Sequence, residues 1–183
     1  MKRLLQIVRD VRGQELAEAA LVLPLVFMLL LGIYWFGRAY NVYSTISHAA
    51  REGATVAATP ACATCAVGGG TWAGTSFPDN AAVSAAVTNV LQASHINAGV
   101  LTAYTPAPAP LACVGVAPAG GCGVGPNNIT VCRNVQLNTV GSPQQQCGTM
   151  VSFRYPYQFY FPFTTLNFQL VNIPASAGVA MEY

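Results

Sequence analysis

The sequence predicts an α+β fold, in which a long amino-terminal helix is followed by a second helix and a small antiparallel β-sheet. Residues 19–37 form an apolar stretch without a charged side chain, which favours a long helix. Residues 79–96 repeat small and branched apolar side chains near helical spacing. From Asn128 onward, runs of β-branched and aromatic residues replace this pattern and indicate strands.

The composition argues against several functional classes. Charged residues make up 8% of the 183 residues, against about 25% in ordinary soluble proteins, and apolar residues make up 53%. This balance is typical of a secreted or surface-assembled protein rather than a cytosolic enzyme. Residues 14–183 carry a formal charge of −1. Nucleic acid is therefore not an expected partner, because phosphate binding needs a basic face.

The apolar stretch has the dimensions of a membrane span. A helix of 19 residues covers about 28 Å, close to a hydrocarbon core of about 30 Å. The basic residues that precede it are Lys2, Arg3, Arg9 and Arg12. The positive-inside rule therefore places the amino terminus in the cytoplasm and the body outside. A cleaved secretory signal and an unprocessed anchor are the alternatives that this stretch leaves open.

The residues before the span suggest proteolytic processing. Glu18 lies at the mouth of the span, where a carboxylate is costly unless it is paired or solvated. One interpretation places Glu18 in the lipid headgroup region. The other notes that Glu18 is the fifth residue after Gly13 and follows a basic leader, which is the layout of a type IV prepilin. Cleavage after Gly13 would make Gln14 the new amino terminus, whose ammonium group Glu18 of a neighbouring subunit could neutralise.

A set of motifs in the first third of the chain resembles one protein family. These motifs are Gly13, Glu18, "ALVLPL" at 20–25, "FGRAY" at 36–40 and "AAREGA" at 49–54. Residues 12–58 therefore resemble the TadE-like family, the small pilin-like proteins of tight-adherence (Flp) pilus systems. The chain departs from the family pattern at Trp35, where members often have a second acidic residue, and at Thr55, which replaces the usual arginine.

This resemblance implies a structural role, a set of partners and a location. The implied role is a minor pilin-like (pseudopilin) subunit for assembly of a tight-adherence type IV pilus, cleaved between Gly13 and Gln14, with Glu18 acting in assembly. The implied partners are a prepilin peptidase, other pilin subunits, inner-membrane pilus assembly proteins and membrane lipid. The implied location is the bacterial inner membrane, with a cytoplasmic amino terminus and a periplasmic carboxy-terminal domain and, after assembly, an extracellular pilus.

The alternative function is a membrane-anchored surface adhesin or binding module that does not enter a pilus. Its candidate patch is the aromatic set Tyr155, Tyr157, Phe159, Tyr160 and Phe161. Burial of about half of these rings in the core is the favoured interpretation. An enzyme is not predicted. Beyond the long helix, the only acidic residues are Asp79 and Glu182, the only histidine is His95, and no catalytic motif is present. No cofactor and no metal site are predicted.

The long helix is expected to continue beyond the span as a stalk. Its predicted buried face consists of Val42, Ile46, Ala49, Gly53 and Val56. Asp79 or Ser76 is the predicted N-cap of the second helix, which is expected to end near Asn97. The predicted buried stripe of that helix consists of Ala82, Ala86, Val90 and Leu91.

All six cysteines lie beyond residue 61, and an even number outside the cytoplasm predicts up to three disulfides. The candidates are Cys62, Cys65, Cys113, Cys122, Cys132 and Cys147. Their order does not choose among the possible pairings. The working hypothesis pairs neighbours, so that Cys113–Cys122 ties an irregular loop at 105–127 and Cys132–Cys147 joins two strands. A redox motif or half of a zinc site is the alternative for the C-x-x-C at Cys62.

The predicted strands cover residues 129–137, residues 148–161 and two further runs that Pro174 separates. Three or four antiparallel strands would pack on the long helix, and this α+β pattern is the pilin-like plan. The predicted domains are a basic prepilin leader at 1–13, an amino-terminal helix at 14–58 with its span at about 19–37, and an extracytoplasmic α+β domain with disulfides at 59–183.

Overall fold

The computed structural model of the chain describes residues 11–59, 77–114, 120–138, 145–159 and 170–180. The chain divides into two compact units, Met1–Asn41 and Val42–Tyr183. The described elements are two α-helices, two short 3-10 helices and five strands. The predicted α+β class, with a long amino-terminal helix, a second helix and an antiparallel sheet, is confirmed.

Helix α1 spans Val11–Ala58 and contains 48 residues. It begins three residues before Gln14, and its helical assignment continues through Pro24. Proline has no N–H to donate, so the carbonyl of Ala20 loses its usual intrahelical partner. The residues up to Asn41 belong to the first unit, and the residues from Val42 belong to the second.

Helix α2 spans Asn80–Ala93, and Asp79 is its N-cap, as one of the two predictions had it. The Asp79 carboxylate accepts a hydrogen bond of 2.7 Å from the backbone N–H of Ala82. The helix ends before the predicted Asn97, and a 3-10 helix at Ala98–Val100 follows. The predicted buried stripe of α2 is confirmed at Leu91, and Val90 packs against the core. It was wrong at Ala82, which is exposed, because the helix buries Val83, Ser84 and Val87 instead.

The five strands form one antiparallel sheet. They are β1 (Thr102–Ala103), β2 (Gly121–Val124), β3 (Thr130–Gln136), β4 (Cys147–Gln158) and β5 (Leu170–Ala180). Strand β4 pairs with β5 along Gly148–Gln158, with β3 up to Ser152 and with β1 at Phe153 and Arg154. Strand β2 pairs with β3. The sheet therefore has one strand more than the maximum predicted.

Pro174 lies within β5, opposite Arg154 of β4, instead of separating two strands. Proline cannot donate to a ladder of hydrogen bonds, so it is tolerated on an edge strand. In the described residues β5 pairs only with β4, which is such an edge position. Along β5, Ile173, Ala175, Ala177 and Val179 alternate with more exposed residues and pack against the core.

The core of the second unit lies between the two helices and one face of the sheet. Its buried apolar side chains include Ile46, Ala49, Ala50, Ala54, Ala57, Val83, Val87, Leu91, Val131, Val151, Phe153 and Ala175. The predicted buried face of the stalk is confirmed at Ile46, Ala49 and Gly53, while Val42 and Val56 are half-buried. Mostly alanine and glycine form this face of α1, which permits a close approach to α2 and β4.

Gly53 lies where this face of α1 comes close to α2 and β4, and a substitution at Gly53 can test that contact. A Cβ atom at this position would overlap with Cγ2 of Val87 and lie 3.4 Å from Cγ1 of Val151. We expect Gly53→Ala to destabilise the second unit, because overpacking costs about 1–3 kcal/mol while the gain in helix propensity is at most about 1 kcal/mol. Urea unfolding followed by near-ultraviolet circular dichroism measures the effect. Gly37→Ala is the matched control, since a Cβ there meets no atom within 4 Å; equal midpoints for the two variants would contradict the close contact.

Candidate functional site

Within the first unit, residues 16–41 form an apolar helical segment whose side chains are mostly exposed. From Leu16 to Leu30 every described side chain is exposed, including Leu21 at 70% and Met28 at 74%. Among the described residues, α1 is the one helix that is long and apolar enough to cross a membrane by length and composition. A stretch of this kind is stable only in lipid or against other apolar helices, because water contact with so much apolar surface is unfavourable.

The predicted processing bond lies at the amino-terminal end of this segment. Gly13 and Gln14 have helical backbone and follow the first residue of α1, Val11, by two and three positions. The cleavage between Gly13 and Gln14 stays a prediction.

Glu18 lies one helical turn after Gln14 and is exposed. If the chain began at Gln14, the new ammonium group and the carboxylate would both lie at the positive end of the helix dipole. A carboxylate is stabilised there, whereas an ammonium group is destabilised and needs a negative partner. The role of Glu18 beside such a terminus stays a prediction.

At its other end, the segment carries an aromatic collar, which we define as Tyr34, Trp35 and Tyr40, together with Arg38. The rings of Tyr34 and Trp35 meet edge to face, with centroids 5.5 Å apart. The guanidinium carbon of Arg38 lies 5.7 Å from the Trp35 ring centroid, within cation–π range. Tryptophan and tyrosine side chains are enriched where a helix leaves a membrane.

The disulfides of the body correct the neighbour-pairing hypothesis. Cys113 pairs with Cys147, and Cys122 pairs with Cys132. Cys122 and Cys132 are opposite each other in the β2–β3 register, so the hairpin brings them together. The backbone N–H of Cys113 donates to Asn134 of β3, while Cys147 lies beside Gln136 of the same strand. Cys62 and Cys65 lie outside the described residues.

A half-buried arginine attaches the sheet to the start of α2. The guanidinium of Arg133 donates to Oδ1 of Asn80 at 2.5 Å and to the backbone carbonyl of Pro78. Burial lowers the pKa of Arg133 from its usual value, while the nearby Asp79 carboxylate raises it. The cation binds acceptors on Pro78, just before α2, and on Asn80, the first residue of α2, and so ties the start of that helix to β3.

The aromatic set that would support an adhesin is partly in the core. Tyr157 is 5% exposed and meets Phe159 edge to face, while Tyr155 is half-buried and packs against the core. Tyr160 and Phe161 lie outside the described residues. Within the described ranges, no three histidine, cysteine, aspartate or glutamate side chains come together in a way that could hold a metal ion. His95 follows α2 and is exposed, while Glu182 is not described.

The fold and this helix define an α+β protein whose amino-terminal segment has the length and composition of a membrane anchor. Residues 13–55 match the family model described as TadE-like protein, which confirms the resemblance found in the sequence. No curated protein and no solved structure matches the chain. The match covers 43 of the 183 residues, so it concerns the amino-terminal helix and not the rest of the chain.

Sequence reasoning missed the pairing of Cys122 with Cys132, although a signal was present. Residues 125–128 read "GPNN", a cluster of turn-forming residues, and lie midway between the two cysteines. Asn127 and Asn128 adopt positive φ angles of 56° and 58°, which asparagine tolerates better than most residues. A turn at this point places Cys122 opposite Cys132, so the turn residues predict the pairing that chain order does not.

Proposed function

We propose that this chain is a minor pilin-like (pseudopilin) subunit that a prepilin peptidase cleaves after Gly13 and that then takes part in assembling a tight-adherence pilus. The observation that carries the proposal is the family match, which begins at Gly13 and coincides with an exposed apolar helix. In this proposal residues 1–13 are the leader, residues 14–58 are the anchoring and packing helix, and residues 59–183 are the extracytoplasmic body.

The apolar helix has two successive environments in this mechanism. Before assembly it lies in the inner membrane as a single span, with the basic leader in the cytoplasm and the body in the periplasm. Cleavage removes the cationic leader, which otherwise holds the terminus at the cytoplasmic headgroups. The apolar surface can then leave lipid only if helices of other pilin subunits replace it, so cleavage and assembly are linked.

Glu18 supplies the register for this packing. The ammonium group of Gln14 must be neutralised when it is transferred from water into apolar surroundings, because an unpaired buried charge is strongly unfavourable. The Glu18 carboxylate of a neighbouring subunit is the proposed partner. Apolar contacts alone allow helices to slide past one another, whereas one charge pair fixes a single axial position. The inner-membrane assembly proteins are the partners that deliver each subunit to this position.

We expect Glu18→Gln to leave leader removal intact and to reduce incorporation into fibres by at least about tenfold, because the buried ammonium group loses its counter-charge. The mass of the membrane-bound chain reports leader removal, and immunoblotting of sheared fibres reports incorporation. Glu52→Gln is the matched control, since Glu52 is an exposed carboxylate on the same helix. Normal incorporation of the Glu18 variant would contradict the proposed charge pair.

A further inference from the structure

The apolar helix carries a charged residue, Arg38, that the cleavage mechanism does not use. Between Glu18 and Arg51, Arg38 is the only charged residue in the sequence. Arg38 follows Glu18 by twenty positions along one continuous helix, which corresponds to a distance of about 30 Å along the helix axis. Both side chains are exposed, and they belong to the same compact unit. The helix therefore has an acidic group at one end of its apolar segment and a basic group at the other.

The two charges project from nearly opposite faces of the helix. A rotation of about 100° per residue brings Arg38 to about 200° from Glu18. They are thus unsuited to pairing within one chain. Opposite faces are what a head-to-tail contact between parallel copies requires, because the acidic face of one copy then meets the basic face of the next. Such a contact is heterologous and repeats without closing, as in a fibre.

The distance between Glu18 and Arg38 along the helix axis fits both a lipid bilayer and an assembly of packed helices. In a bilayer, about 30 Å places Glu18 and Arg38 at the two headgroup regions, where both charges are solvated. Outside the bilayer these headgroups are lost, and an opposite charge on a neighbouring helix then stabilises each of the two charges. A parallel copy displaced by about 30 Å brings its Arg38 level with Glu18. The charge pair therefore belongs to the assembled state and not to the membrane state.

Arg38 has a side chain that can bind a carboxylate. Its guanidinium carbon lies 5.7 Å from the Trp35 ring centroid. A guanidinium can bind a carboxylate through two parallel N–H···O hydrogen bonds. The sequence places a second carboxylate, Glu15, at the acidic end of the helix. The negative charge at that end can therefore serve both a cleaved amino terminus and Arg38.

We propose that Arg38 of one copy binds the Glu18 carboxylate of a second, parallel copy of this chain that is displaced by about 30 Å along the helix axis. The proposal rests on the proposed function, because it describes the packing of the assembled state. It adds a second contact for Glu18 and assigns Arg38 to the subunit interface.

Disulfide cross-linking between two copies tests this displacement while retaining both charges. Val22 is 53% exposed and lies one turn after Glu18, and Asn41 is exposed and lies about one turn after Arg38. In the proposed contact these two side chains point toward each other at nearly the same height. Full-length Val22→Cys and Asn41→Cys chains with different tags are produced with the prepilin peptidase, mixed in detergent, assembled by detergent removal and oxidised.

We expect a Val22→Cys to Asn41→Cys heterodimer and little dimer between two Val22→Cys copies. Adding Arg38→Gln to both chains should lower the heterodimer yield by at least about tenfold, and Arg38→Lys should largely retain it. Any of three results would overturn the inference. These are an in-register dimer of two Val22→Cys copies, the absence of the heterodimer, and a heterodimer yield that Arg38→Gln does not change. Leader removal is measured on the same samples: its failure contradicts the proposed function, whereas loss of the heterodimer with normal leader removal contradicts only the Arg38 contact.

Discussion

Replacing Phe153 with alanine is expected to destabilise the second unit by about 3–5 kcal/mol, the largest effect of any single substitution that we anticipate. Phe153 is fully buried in β4 and belongs to the core cluster. Its cross-strand neighbours are Ala103 of β1 and Ala175 of β5, so the ring fills space that two small side chains leave. Neither alanine can move into the cavity, and the cost should lie near the upper end of this range.

Urea unfolding of the detergent-solubilised chain, followed by near-ultraviolet circular dichroism, measures this effect on the body. Phe153→Leu should cost much less, because leucine retains most of the buried apolar volume. Leu170→Ala is the surface control, since Leu170 is 61% exposed on β5 and surface substitutions usually change stability by less than about 0.5 kcal/mol. A Phe153→Ala variant as stable as the Leu170→Ala variant would show that the described core is incorrect.

Removing the Cys113–Cys147 disulfide by replacing both cysteines with alanine is expected to cost about 4 kcal/mol, while removing Cys122–Cys132 in the same way should cost about 3 kcal/mol. The Cys113–Cys147 bridge closes a loop of 34 residues, and the Cys122–Cys132 bridge closes one of 10. When its bridge is removed, the longer loop gains more conformational freedom in the unfolded state. The hairpin of β2 and β3 also holds Cys122 near Cys132 without the bond. Cys113–Cys147 has no such hairpin to replace it.

The two double variants are compared by their unfolding midpoints under identical oxidising conditions. Peptide mapping under non-reducing conditions checks the pairing directly, because the peptides that contain Cys113 and Cys147 should remain linked. A peptide that links Cys113 to Cys122 would restore the neighbour-pairing hypothesis and contradict the described register. A larger loss of stability on removing Cys122–Cys132 would contradict the loop-length argument.

The helices were predictable because their periodicity is local. The stalk face at Ile46, Ala49 and Gly53 repeats at helical spacing, and the carboxylate of Asp79 is a capping signal within one turn of its acceptor group. Strands β1 and β2 were missed because the first has two residues and the second, "GCGV", has one β-branched residue. Such segments become strands through their neighbours and carry little signal of their own.

The candidate site was predictable to a different extent in each part. Gly13, Gln14 and Glu18 were chosen from a local motif, and the roles assigned to them stay predictions. Arg38 belongs to the "FGRAY" motif, which by itself gives this residue no contact. Its relation to Glu18 depends on a helix that continues over twenty positions, and a proline such as Pro24 can break a helix. The disulfide register likewise depends on which strands meet, which chain order does not determine.

Mass spectrometry of the intact chain, isolated from hosts with and without a prepilin peptidase, tests the central claim most directly. The account predicts that only the host with the peptidase yields a chain shortened by residues 1–13, with Gln14 as its amino terminus. The same chain from the host without the peptidase should keep Met1 through Gly13. A chain that begins at the same residue in both hosts would contradict the account.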